Sequence, residues 1–232
     1  MTEPTFPPQM WGHAVTGTGD PFDVACGKAS LGCDAGLVAY NLGTDRMSAA
    51  LVLAPEVPLA RAMAMLPLAA VGLQNALGAL APPEVAVHLD WTGPIRINGA
   101  KCGAFRVAAA TTDPDTVPDW LTVGFDLPLL PASDDPGETP DQTYLFMEGC
   151  ADITPVQIVE SWARHTLNWI ARWEDSGNAP LHAEWRGLAH GIGEETTLFG
   201  QTGTFLGIDE DFAMLLRAGD TTNLISLTRL LE

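Results

Sequence analysis

The stretch His88-Leu89-Asp90-Trp91-Thr92-Gly93-Pro94-Ile95-Arg96-Ile97-Asn98-Gly99-Ala100-Lys101-Cys102-Gly103 decides how this chain is read. It begins inside an alternating run. Val85, Val87, Leu89 and Trp91 share one face and Ala86, His88 and Asp90 the other, the period of a half-buried strand. Further on, Asn98-Gly99 separates Ile95–Ile97 from Lys101–Ala109. Asn and Gly tolerate the positive φ of the tight turns that join two antiparallel strands, so a hairpin is predicted.

Outward from this stretch, strands and helices are interleaved. Leu37–Asn41 and Ser48–Ala54 read as a second hairpin, joined by the short connection Leu42–Arg46. Trp120–Leu127 reads as another strand. Asp20 can cap a helix running to Leu31, with Pro21 in its first turn. Leu59–Leu80 reads as a long apolar helix that Pro67 kinks or splits. Thr154 and Pro155 open a helix to Asp175, with Gly177 just past its end. Its Val159, Trp162, Ala163, Thr166, Ile170 and Trp173 fall on one face, as core packing requires. Met1–Gly19 and Pro131–Gln142 read as loops. His190–Glu232, with its Gly-rich turns, reads as about five short strands. Within it, Gly203–Leu216 forms two strands around an Asp-Glu-Asp turn.

Composition bounds the possibilities. A chain of 232 residues, 47% hydrophobic, suits one large domain, or one domain plus a small appendage. The net charge is −18, with 11 Lys and Arg, and Lys28 and Lys101 are the lysines. Nucleic acid and anionic membrane surfaces need clustered cations and are poor partners. The longest apolar stretch is taken as Ala62–Leu73, too short to cross a bilayer. Met1–Gln9 carries three prolines and no basic residue, unlike a signal peptide. Cys26, Cys33, Cys102 and Cys150 form no C-x-x-C pair and read as reduced thiols of a cytoplasmic protein. His182, Glu184, His190, Glu194 and Glu195 offer metal-capable atoms, but without a ligand spacing, so no metal site is assigned.

Two stretches resemble the biotin/lipoate protein ligase family. His88–Gly103 is similar to its Lys-Trp-Pro-Asn-Asp motif followed by a hairpin ending in a lysine. Trp91, Ile95, Asn98, Gly99 and Lys101 match without a gap. Gly203–Leu216 is similar to the Gly-Ile-Asp turn and Leu-Leu strand of the family's C-terminal domain. Leu121–Leu127 resembles its Gly-Ile-Gly-Ile-Asn strand. The elements are collinear over nearly the whole chain. The resemblance implies an α+β fold. A mixed β-sheet flanked by helices, related to class II aminoacyl-tRNA synthetases, would occupy residues 1–183. A small SH3-like β-barrel would occupy residues 184–232. It also implies condensation of biotin, lipoate or a similar carboxylic acid with ATP and Mg²⁺, then transfer to an acceptor-domain lysine.

The chain departs from that pattern where cations are needed. Two anions must meet in adenylation, and cations and backbone donors must offset their repulsion. The family's Gly-Arg-Gly-Arg-type loop corresponds to Leu42–Met47, with a single Arg46. The motif lysine is replaced by Asp90, whose charge would repel a phosphate about 4 Å away by about 4 kcal/mol at an effective dielectric of about 20. On that basis Asp90→Lys is expected to raise nucleotide affinity. Lys101 survives and faces the ligand's carboxylate or adenylate in the family, which makes it the candidate catalytic residue. A lysine at an exposed hairpin end is the plainer alternative.

The ligand-binding candidates are His88, Asp90, Trp91, Arg46, Asn98 and Gly124. His88 and Asp90 share a strand face and could form a general base pair or a polar pocket wall. Trp91 points to the opposite, core-like face. Arg46 could replace the lost loop cations, and Gly124 could let a ligand approach the backbone. Cys102, next to Lys101, points to the other face.

Three functions stay open. The chain is a ligase or acyltransferase, using ATP, Mg²⁺ and biotin or lipoate only if the family activity is retained. Alternatively it is a non-catalytic protein that binds a small carboxylic acid or an acceptor domain. In the third reading it is a dimerisation or interaction module, and a homodimer fits that reading. A concave pocket beside Lys101 favours the first two, and a filled one the third.

Overall fold

The computed structural model describes residues 3–131 and 141–231. Most of the expected loop Pro131–Gln142 therefore lies outside the described residues. The strands are β1 (Trp11–Ala14), β2 (Leu37–Leu42), β3 (Arg46–Leu53), β4 (Val87–Leu89), β5 (Pro94–Ile97), β6 (Ala100–Ala109) and β7 (Leu121–Pro128). They form one mixed sheet in the order β1-β2-β3-β7-β6-β5-β4. β1 runs parallel to β2 and every other neighbour is antiparallel. The helices are α1 (Pro21–Ser30), α2 (Leu59–Ala62), α3 (Met65–Leu80), α4 (Pro155–Ser176) and α5 (Asn178–Leu188). This is the expected α+β architecture.

Local chemistry places these elements. Asp20 caps α1, accepting a hydrogen bond from the Phe22 N–H at 2.9 Å. Thr154 and Gln157 cap α4 reciprocally. Asn98 and Gly99 take φ of 50° and 91°, as a tight two-residue hairpin turn requires. The break in the apolar helix comes earlier than Pro67. α2 ends at Ala62, α3 begins at Met65, and Pro67 lies in the first turn of α3. A helical proline ring collides with the carbonyl four residues back, here Met63, so the chain turns there instead. Taken whole, Leu59–Leu80 is long and apolar enough to cross a bilayer, its most apolar 18-residue window having a mean hydropathy of 1.5, which corrects the shorter count from the sequence. That test is also met by core helices of globular proteins, and 72% of its most apolar window is buried inside this fold.

α3 and α4 cover one face of the sheet. Their side chains close over Val38, Ala49, Leu51, Val123, Phe125 and Leu127. The packing is close. A Cβ on Gly72 of α3 would stand 2.5 Å from Thr166 Oγ1 of α4. The opposite face is covered at one end by α1, where Ala25 and Ala29 meet Leu37, Ala39, Ala50 and Val52.

The C-terminal unit is a four-stranded antiparallel sheet in the order β11-β10-β9-β8. Its strands are β8 (Glu195–Leu198), β9 (Gln201–Ile208), β10 (Met214–Ala218) and β11 (Thr221–Ile225). That is fewer than the five or so expected, because the last apolar segment, Leu227–Leu231, forms a 3-10 helix. The Asp-Glu-Asp turn stands where expected, with Asp209 Oδ1 accepting from the N–H groups of Asp211 and Ala213. α5 is not expected from the sequence, although Leu181 and Trp185 already show helical spacing. Nor is β1, which lies inside Met1–Gly19, a segment expected as loop, and forms by pairing with the distant β2.

A candidate ligand cleft on the open half of the sheet

Beyond α1, the same sheet face is open among the described residues. Antiparallel registers align Asn41 with Ser48, Ser48 with Asp126, Asp126 with Ala104 and Ala104 with Pro94. These five residues make one rung across β2, β3, β7, β6 and β5, and they floor a cleft. One half holds about 850 Å³ between Gly17–Asp20, Asn41, Ser48 and Arg106. The adjoining half holds about 440 Å³ and is walled by Pro94, Lys101, Pro128, Leu130, Gln142 and Tyr144. Asp45, Arg46, Gly103, Ala104 and Asp126 line both halves.

Three carboxylates, Asp20, Asp45 and Asp126, share this cleft with three cations, Arg46, Arg106 and Lys101. Two of the cations are already paired. Arg46 donates through Nε and Nη2 to the two carboxylate oxygens of Asp126. Arg106 Nη2 reaches both oxygens of Asp20, at 2.8 and 2.6 Å, and its guanidinium stacks 4.4 Å over the Phe22 ring. Burial alone would raise the Asp20 carboxyl. The Arg106 hydrogen bond, the Phe22 N–H and the charges of Arg106 and Arg46 outweigh it and hold it below the ordinary value of 3.8. Asn41 Nδ2 donates to the Gly17 carbonyl at 3.1 Å and ties down the loop before α1.

Lys101 differs from both arginines. Its backbone is anchored, its N–H donating to the Asp141 carbonyl and its carbonyl accepting from the Thr143 N–H. Its side chain is exposed, and no carboxylate pairs with it among the described residues.

Of the residues singled out from the sequence, the structure brings Arg46 and Lys101 together in the cleft and places the others elsewhere. Asp90 accepts from Arg96 Nε at 2.8 Å and Nη2 at 3.1 Å, and lies 3.2 Å from His190 Nδ1. It lines neither half of the cleft, so its charge is spent on neighbours rather than presented to a phosphate. The expected His88–Asp90 pair is not formed, and His88 Nδ1 is buried without a partner. Trp91 is buried, its indole N–H donating to the Phe212 carbonyl at 2.8 Å. Asn98 shapes the turn, accepting from the Ala86 N–H and donating to Glu148. At Gly124 a Cβ would stand 2.8 Å from the Ala49 carbonyl oxygen and from Ala50 Cβ, so strand packing accounts for the glycine. Cys102 is buried. Burial first, then the charge of Glu148, pushes its thiol up to about 12, leaving it without nucleophilic thiolate at neutral pH.

The sequence reading missed Asp20, Asn41, Ser48, Arg106 and Asp126 as cleft residues. For Arg106 a signal existed: it shares a strand with Lys101 in a chain of 11 Lys and Arg. The rest are ordinary polar residues that strand register and, for Asp20, the packing of α1 on the sheet assemble.

Residues 6–187 match the model of the Biotin/lipoate A/B protein ligase family. Residues 192–232 match a domain of unknown function, DUF4444. A biotin protein ligase-like protein of unknown function from Silicibacter sp. TM1040, known from a crystal structure, is 65% identical, with a TM-score of 0.94 over 99% of this chain and 100% of its own. Biotin protein ligase from Aquifex aeolicus, in complex with biotin and ATP, has a TM-score of 0.70 at 14% identity, over 93% of this chain and 95% of its own, a likeness of fold alone. The Biotin--[acetyl-CoA-carboxylase] ligase of Paracoccus denitrificans is 27% identical over 175 residues, 72% of each chain.

Proposed function

We propose, from the premise that the chain belongs to the Biotin/lipoate A/B protein ligase family, that it binds a small carboxylic acid of the biotin or lipoate kind in the cleft beside Lys101. The observation that carries this reading is the open cleft of about 440 Å³ at that lysine. A filled site would have spoken for a purely structural module. No carboxylate pairs with the Lys101 ammonium among the described residues, and in this reading it takes the ligand's carboxylate in a charge-assisted bond. Pro94, Pro128, Leu130 and Tyr144 offer an apolar wall to the ligand's chain. Arg46 and the polar rung of Asn41 and Ser48 serve the remainder. His88, Asp90, Trp91, Asn98 and Gly124 act as supports rather than contacts. All cleft residues fall within 1–183, the segment we take as the ligand-binding unit, with 184–232 as its appendage. The free thiols fit a reducing, cytoplasmic setting.

Binding without adenylation is the form of this function that the geometry supports best. The β2–β3 connection is short, Arg46 at the start of β3 is held by Asp126, and the lining charges balance. A triphosphate needs net positive charge, so ATP and Mg²⁺ would find little here to replace their solvation. The second reading, activation of the acid and its transfer to an acceptor lysine, rests on the fold shared with the biotin- and ATP-bound ligase.

Calorimetry with biotin, lipoate and octanoate, alongside ATP–pyrophosphate exchange, tests both. We expect binding of one acid, weakened about 10-fold or more by Lys101→Ala, the loss of one charge-assisted bond, and no exchange. Binding of none of the acids overturns the proposal, and exchange with any acid establishes the second reading in its place.

A further inference from the structure

We infer that Gly103 is a positioning residue, and that the bulge it permits is what turns Lys101 into the cleft. This rests on the reading of Lys101 as the ligand's cation. In β6, Ala104 and Arg106 line the cleft, while Phe105 is buried on the opposite side. Strict alternation carried back from Phe105 would send Gly103 and Lys101 to the core face and Cys102 to the cleft. The structure has the reverse: Cys102 is buried and Lys101 lines the cleft.

The pairing of β5 with β6 shows why. Pro94 stands opposite Ala104, but Arg96 stands opposite Lys101, so two residues of β6, Cys102 and Gly103, oppose the single Ile95. One extra residue inverts the facing of everything before it. Gly103 makes this possible on two counts. Its φ is +88°, a region L side chains rarely adopt. A Cβ there would stand 2.0 Å from the Asp126 carbonyl oxygen and 3.1 Å from Leu127 Cα, both backbone atoms of β7 that cannot swing aside. Gly93 on the neighbouring segment is built to match, with φ of +114° and a Cβ position 2.5 Å from the Phe105 carbonyl oxygen. The bulge therefore does two things at once: it seats the Cys102 thiol in the core and turns Lys101 to the face where Asp126 and Ala104 line the cleft.

The chain has two lysines, Lys28 and Lys101, which makes the placement directly readable. Full-length protein is dimethylated with ¹³C-formaldehyde and the lysine methyl resonances are followed by NMR without ligand. The expected result is nuclear Overhauser contact from the Lys101 methyls to the Ala104 methyl or the Tyr144 ring. Gly103→Ala should abolish it and leave the Lys28 signal unchanged. Its absence in the parent protein, or its persistence in Gly103→Ala, overturns the inference.

Because Gly103→Ala is strained and can fail to fold, a second variant, Lys101→Ala/Ala104→Lys, moves the cation to a position that faces the cleft without help from the bulge. Its lysine methyls should regain contact with Tyr144, and affinity for biotin should return to within about 10-fold of the parent. A lysine at 104 that makes no cleft contact overturns the inference. Correct methyl contacts in a protein that binds none of the acids would instead remove the proposed function and leave the role of Gly103 standing.

Discussion

At the scale of single residues, the cleft is governed by which charges are already used. Arg46 and Arg106 are each held by an aspartate, and Lys101 is the cleft cation without one among the described residues. Cys102, one position further on, is the opposite case. With its thiol pushed up to about 12, the unfolded chain should alkylate with iodoacetamide at pH 8 while folded Cys102 stays unmodified by mass spectrometry. Modification of the native protein at Cys102 would show the site to be more open than described. Asp90 offers a sharper test. Because it serves Arg96 and His190 rather than the cleft, Asp90→Lys should leave ATP affinity unchanged in a calorimeter, contrary to the expectation from the motif alignment. Asp90→Asn should cost about 2 kcal/mol in urea unfolding, since it leaves the largely buried Arg96 guanidinium short of its partner.

At the scale of elements, α1 is tied to the sheet through its cap. Asp20 holds the Phe22 N–H on one side and Arg106 of β6 on the other. Its carboxyl lies below 3.8 in the folded chain and returns to about that value on unfolding. The sign follows from linkage. The stability it contributes is complete above pH 3.8 and is lost as pH falls below that through the folded value. Asp20→Asn should therefore flatten the acid limb of a plot of Tm against pH below about 4, with a smaller effect on its slope near neutrality. An unchanged acid limb would mean that other carboxylates carry the acid sensitivity.

At the scale of the whole molecule, the C-terminal sheet is fastened to the large one around the very segment whose sequence resembles a family motif. Trp91 donates to Phe212, His190 meets Asp90, and the His190 N–H donates to the Leu89 carbonyl. Trp91→Phe keeps the ring's bulk but leaves the buried Phe212 carbonyl unsatisfied. It should cost about 1–3 kcal/mol and make the 192–232 segment the first to be cut in limited proteolysis. Equal resistance to protease in the variant would mean that the junction is held by packing alone.

The fold was largely legible because its signals are local. A carboxylate before Pro21, Thr154 before Pro155, Asn98-Gly99 and the alternation around Leu89 each act over a few residues, and the structure confirms each. What misled was local too. Pro67 marks a break correctly, yet its collision falls on Met63, one turn back. α5 was overlooked because Gly177 ends one helix and begins the next within a single residue. The cleft was legible only in part. Lys101 and Arg46 stood out as scarce cations, but Asp20, Asn41, Ser48, Arg106 and Asp126 come from five separate segments, and strand register together with the packing of α1 sets them side by side. By itself the sequence determined most of the elements, though not β1 or α5, with their caps and turns and the family pattern, because those rest on interactions between near neighbours in the chain. Only the tertiary structure decided that Asp90 is a strut and that a one-residue bulge sends Lys101 to the open face. Facing across a sheet depends on the partner strands, and no single strand carries that information.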